Sequence, residues 1–133
     1  MTYPSRQLSV AINRPASDVY EFAANPRNLP QWASGLSRSS MIQSGDEWLA
    51  DSPMGKVSIK FVERNRLGVL DHDVTLPSGE CVHNPLRVVK NGAGSEVIFT
   101  LYHLPQASDA AFEQDARMVL ADLQKLKALL EKA

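Results

Sequence analysis

The chain has 133 residues, 44% of them hydrophobic and 22% charged, and a net charge of −1. That is ordinary globular composition, enough for one domain over residues 1–133 with a core of its own. A near-neutral balance offers no field for nucleic acid, and no apolar run approaches the roughly 18 residues of a bilayer span, so neither nucleic-acid binding nor membrane insertion is expected.

One cysteine, Cys81, excludes an internal disulfide framework and suits a reducing compartment. The opening MTYPSRQLSV lacks the charged-then-apolar pattern of a signal peptide, so a cytoplasmic location is expected.

In chain order, Leu8, Val10 and Ile12 alternate with polar or small neighbours, which predicts a half-buried strand over residues 7–12. Pro15 ends it. Asp18 and Glu21 have capping-box spacing before a short helix, with Ser17 an equal candidate for the cap. Asn25-Pro26 closes that helix, and PRNLPQW reads as a second short one. From about residue 36 to 103, turn signals at 44–46, 53–55, 64–66, 77–79 and 91–94 divide the chain into an antiparallel meander. Then the period changes: Phe112, Ala116, Val119, Leu123, Leu126 and Leu130 form one stripe. With Ser108 as N-cap, this predicts a helix of about 22 residues, roughly 33 Å long. A strand, two short helices, a meander and a long amphipathic helix make an α+β order.

Turn chemistry sets the expected registers. A three-residue loop at 77–79 places Val74 opposite Val82, His72 opposite Asn84 and Leu70 opposite Leu86. A two-residue loop at Gly92-Ala93 places Val88 opposite Val97, Leu86 opposite Phe99 and Asn84 opposite Leu101. A tight loop at Asn65-Arg66 would set Phe61 against Leu70, and one at Met54-Gly55 would set Trp48 against Phe61. The first three agree on one apolar face, which Trp48 joins if the turn at Met54-Gly55 forms.

These registers resolve the stretch VLDHDV at 69–74. Successive strand residues alternate, so His72 points inward while Asp71 and Asp73 point outward, most simply as a solvated face. An Asp-His-Asp cluster is thereby split. His72 and Asn84 either satisfy each other inside a packed core or face a cavity, where a histidine titrating near neutrality can act as acid or base.

The segments LSVAINRPASDVYEFAANPRNLPQW at 8–32, GVLDHDVTLPSGE at 68–80, PLRVVKNGAGSEVIFTL at 85–101 and ADLQKLKALLE at 121–131 resemble the START-like helix-grip (SRPBCC) superfamily, specifically its polyketide cyclase/dehydrase and lipid-transport group. The resemblance implies a curved seven-stranded antiparallel sheet wrapped around the C-terminal helix, with the two short helices closing one end. It also implies an apolar cavity between sheet and helix for a lipid, polyketide or other hydrophobic molecule. The group shares no universal catalytic residue, so none is carried over.

On the inward face the candidate ligand-binding residues are Ile59, Phe61, His72, Asn84, Leu86, Phe99 and Leu101, with Trp48 by the register above. Met118 joins them from the long helix and Trp32 from beside the second short helix, where it is a cavity-mouth residue or an aromatic plug. Arg38, in the first meander strand, lies inward or outward according to the turn at 44–46. Arg87 and Glu96 are expected as an exposed pair. His72, His83 and His103 do not make a metal set, and Cys81 lacks an activating base. No nucleotide-binding or hydrolase motif is present, so no cofactor is expected.

Three functions remain. The first is binding of a small hydrophobic or amphipathic ligand, oriented by His72 and Asn84. The second is a cofactor-independent enzyme of the cyclase/dehydratase kind with His72 as general acid/base. The third is a regulatory or interaction protein with a filled core. The first two require a cavity of roughly 300 Å³ or more with His72 on its wall. Monomer and homodimer are both open.

Overall fold

The structure is a computed structural model that describes residues 1–132. Strand β1 (Ser5–Ile12) is followed by helix α1 (Ala16–Ala23), a single 3₁₀ turn (Pro26–Asn28), helix α2 (Leu29–Trp32) and a second 3₁₀ turn (Ser34–Leu36). Strands β2 (Ile42–Ser44), β3 (Glu47–Ser52), β4 (Gly55–Phe61), β5 (His72–Thr75), β6 (Cys81–Asn84), β7 (Leu86–Asn91) and β8 (Gly94–Tyr102) precede the long helix α3 (Asp109–Lys132). The fold is α+β and of the helix-grip type.

The strands form two antiparallel ladders, β2-β3-β4-β5-β6 and β1-β8-β7. They meet at Pro85, which has no N–H to give and so interrupts what is otherwise one strand. Pairing continues across the break: Leu70 N donates to the Leu86 carbonyl at 2.8 Å, Val88 N to Gly68 at 2.8 Å, and Val69 bridges Arg87. Counting β6 and β7 as one interrupted strand turns the eight assigned strands into the seven expected.

Helix α3 lies across this sheet because its stripe is apolar. Phe112, Ala116, Leu123, Leu126 and Leu130 are buried. Ser108 caps it, its Oγ accepting from Ala111 N at 3.1 Å. Polar contacts tie its C-terminal half to the first strand and the loop beyond: Lys127 Nζ donates to the Ala11 carbonyl at 2.6 Å, and Arg14 Nη1 donates to the Leu130 carbonyl at 2.6 Å. A cation on the last carbonyls also suits the helix dipole.

Hairpins β5–β6 and β7–β8 have the expected registers, with His72 opposite Asn84, Val74 opposite Val82, Val88 opposite Val97 and Leu86 opposite Phe99. Two others are displaced by two residues. Phe61 faces His72 rather than Leu70, and Trp48 faces Ile59 rather than Phe61. In the first case there is no tight turn at Asn65-Arg66. The chain instead wraps around the Asn65 side chain, whose Nδ2 donates to the Glu63 and Val69 carbonyls while Oδ1 accepts from Leu67 N and Val69 N. In the second, Ser52 pairs with Gly55, and Ser52 Oγ holds the turn by donating to the Gly55 carbonyl and accepting from Met54 N. A displacement of two leaves every side chain on its expected face.

Other expectations are corrected. Helix α1 begins at Pro15 without a side-chain cap, and Asp18 pairs with Arg14 at 3.0 Å instead. Arg38 is exposed in a turn before β2, not in a strand. Asp71 is not solvated. It is 9% exposed, accepts from Leu86 N at 2.9 Å, and holds Arg87 through two bonds of 2.9 and 2.7 Å. Arg87 therefore does not pair with Glu96, which takes Asn91 Nδ2 at 2.8 Å. The Arg87 guanidinium, first, and the backbone N–H of Leu86 hold the Asp71 carboxyl below its ordinary range.

Arg87→Met leaves a largely buried carboxylate with one backbone donor. Because Arg87 is itself about half exposed, with 49% of its side-chain surface accessible, solvent replaces part of the interaction. A loss of about 2 kcal/mol in urea denaturation at pH 7 is expected. The loss shrinks as pH falls. The lowered carboxyl contributes stability above its unfolded value of 3.8, which disappears as protonation proceeds below it. An Arg87→Met variant as stable as the parent at pH 7 would show that the pair contributes nothing.

Candidate functional site

A cavity of about 480 Å³ lies between the sheet and α3. The sheet supplies Val57, Ile59 and Phe61 from β4, His72 and Val74 from β5, Leu86 from β7 and Phe99 from β8. These are alternate residues of their strands, so the hollow follows directly from the two-residue period. Helix α3 contributes Met118, Val119 and Leu123, and Asp115 and Asp122 beside them. Leu29, Trp32, Ala33 and Leu36 wall one end. Val119 belongs to the apolar stripe yet is only half-buried, because it faces this space.

His72 is set among apolar neighbours on the cavity wall. Its ring lies 4.9 Å from Phe61 and 6.4 Å from Phe99, centroid to centroid. Nδ1 sits 3.0 Å from the Leu70 carbonyl. A carbonyl only accepts, so Nδ1 carries the proton and Nε2 of the neutral ring is a bare acceptor. Burial, the largest cause, pushes the imidazole pKa below its ordinary 6.5, against the opposing effects of the Leu70 carbonyl and Asp71. The neutral ring is thus the resting form at pH 7.

This has a thermodynamic sign. The unfolded chain takes up a proton near pH 6.5 while the folded chain resists it, so stability falls as pH drops below about 6.5 and through the lower folded value. His72→Leu is expected to flatten that limb of the urea-midpoint profile between pH 7 and 5. A limb unchanged in the variant would assign it to other groups.

Ile59, Phe61, His72, Leu86, Phe99, Met118 and Trp32 all line the cavity. Trp32 is 6% exposed, and its indole N–H has no hydrogen-bond partner among the described residues. Asn84 and Leu101 lie elsewhere. They line a separate open cleft of about 890 Å³, where β6 and β8 diverge beyond Pro85. Asn84 faces His72 across the ladder but makes no hydrogen bond to it, since the ring is turned to the Leu70 carbonyl. Trp48 is half-buried outside the cavity, with the Arg27 guanidinium 5.0 Å above its ring. On the outer face Asp73 holds His83 Nδ1 at 2.7 Å. His103 stacks on Phe112 at 4.5 Å, and no cluster of three or more potential metal ligands occurs among the described residues.

Sequence reasoning missed Asp115 and Asp122. They fall in register with Met118 and Val119 on α3, a helical-spacing signal that was available. Burial raises the Asp122 carboxyl pKa, countered in part by the Ser34 N–H, which donates to Oδ1 at 3.2 Å.

An antiparallel sheet gripping a long helix over an apolar hollow defines a helix-grip protein. The chain belongs to the polyketide cyclase / dehydrase and lipid transport family, whose pattern it matches over residues 5–131. Among solved structures it is similar to the Aha1 dimer from Colwellia psychrerythraea, at 13% identity and a TM-score of 0.76 over 96% of each chain. It is also similar to a protein from Chromobacterium violaceum, at 15% identity and a TM-score of 0.70 over 96% of this chain and 97% of that one. DynU16, a putative protein in the dynemicin biosynthetic locus, matches at 15% identity and a TM-score of 0.73 over 96% of this chain and 47% of its own. At such identities the likeness concerns the fold. No curated protein sequence matches. No helix among the described residues is long and apolar enough to cross a membrane.

Proposed function

We propose that the protein binds a small hydrophobic or amphipathic molecule in the cavity between the sheet and α3. The observation that carries this reading is the hollow of about 480 Å³ walled by aliphatic and aromatic side chains. That volume lies within the range of about 300–1,000 Å³ usual for small-molecule sites, whereas voids larger than a water molecule are few in a packed core. Apolar burial supplies the affinity, while His72 Nε2 orients polar atoms of the guest. A filled-core regulatory protein would have no use for this space. Native mass spectrometry of protein purified from its host should show a retained molecule that departs on unfolding. Protein that is empty from its host and also fails to take up any apolar compound would defeat the reading.

A second reading is supported by the ring geometry of His72. With Nδ1 fixed and Nε2 bare on an apolar wall, the imidazole is poised to accept a proton from a bound polyketide-like molecule and return it elsewhere. This makes His72 the general acid/base of a cofactor-independent cyclase or dehydratase. Once a guest is identified, loss of its turnover in His72→Ala with binding retained supports this chemistry. Unchanged turnover removes it.

A further inference from the structure

The charged groups on the cavity wall are of one sign. Among the described lining residues the carboxylates are Asp115 and Asp122, and no lysine or arginine joins them. Seven residues apart, they share one face of α3 about 10 Å from each other. Met118 and Val119 lie between them, so both carboxylates flank the route to the apolar interior. Asp115 is exposed and Asp122 half-buried. Asp122 spends Oδ1 on the Ser34 N–H. His72 rests neutral and contributes no positive charge. A low-dielectric hollow with acidic groups at its rim focuses a negative potential into itself.

From the apolar cavity and the single sign of the charges on its wall we infer that the natural guest is a cationic amphiphile: an apolar body with a protonated amine held at the mouth by Asp115 and Asp122. Fatty acids and other carboxylates are selected against, since their charge would enter a negative field with no lysine or arginine among the described lining residues to meet it. The inference rests on the proposed ligand-binding reading and narrows it to one charge class.

Decylamine, decanol and decanoate share one chain and differ in head-group charge. Titrated calorimetrically into the intact protein at pH 7 and low salt, decylamine should bind at least about tenfold more tightly than decanoate, with decanol between them. Added salt should narrow the gap. Asp115→Asn together with Asp122→Asn should erase the amine's advantage and leave decanol unchanged. Asp115→Asn alone, at an exposed position, should remove part of it even where the double variant folds poorly. Decanoate binding as tightly as decylamine would overturn the inference while leaving the cavity reading intact. Failure of all three to bind would bring down the cavity reading itself.

Discussion

Gly68→Ala is expected to destabilise the protein by about 3 kcal/mol, far more than an alanine at most surface loop positions. Gly68 has φ +74, a left-handed conformation that costs an alanine roughly 1–2 kcal/mol. The larger share is steric: a Cβ at this position would lie 2.1 Å from the Val88 carbonyl oxygen, a backbone atom that cannot rotate away. Relief requires separating the two strands, which weakens the bond from Val88 N to the Gly68 carbonyl and its neighbour from Leu70 N to Leu86. Gly45→Ala is the control. It has φ +66 and nothing within 4 Å of the added carbon, so about 1 kcal/mol is expected. Equal urea midpoints for the two variants would show that the close approach to Val88 carries no energetic weight.

The second large effect is on binding. Val119→Trp places an indole in the hollow from the helix side, where the parent side chain is only half-buried and borders empty space. Decanol affinity, read by calorimetry, should fall at least about tenfold, while the melting temperature holds or rises because the added surface fills a void instead of crowding a packed core. An unchanged affinity would place the binding surface elsewhere. A sharp loss of stability would mean that the space is smaller than 480 Å³ in solution.

The contrast between Val119 and Leu126 shows what a sequence can reveal of this molecule. Both sit on the same helical stripe and obey the same period. Leu126 is fully buried, while Val119 looks into the hollow. Periodicity reports which face turns inward. It does not report whether that face meets another side chain or a space, since this depends on how far the sheet bends away. For the same reason Ile59, Phe61, Leu86 and Phe99 were legible as inward residues, but Asn84 and Leu101, also inward by parity, fall beyond the fork at Pro85 in a different cleft.

Turns explain the remaining differences. The PSG and NGAG signals call for short loops, and the chain forms them. Asn65 reads equally well as a hairpin residue, yet its amide organises a longer loop through four backbone contacts. Local composition does not distinguish the two. The burial of Asp71 was hidden because it arises from Arg87, sixteen residues away on a neighbouring strand. Parity placed both on the outer face. Their mutual capture, which removes the carboxylate from water there, is a tertiary event.

The fork at Pro85 also bears on self-association. Among the described residues, past the proline β6 pairs only with β5, and the end of β8 is tied to this neighbour only through Thr100 N and the Pro85 carbonyl, so two backbone margins face solvent across the cleft. Such margins recruit foreign strands when they are long, flat and apolar. Here the free margin of β6 is four residues, CVHN, with polar His83 and Asn84 and an exposed Cys81. Brevity and polarity make it a poor template for edge-to-edge growth, so the chain can leave its sheet split without inviting aggregation.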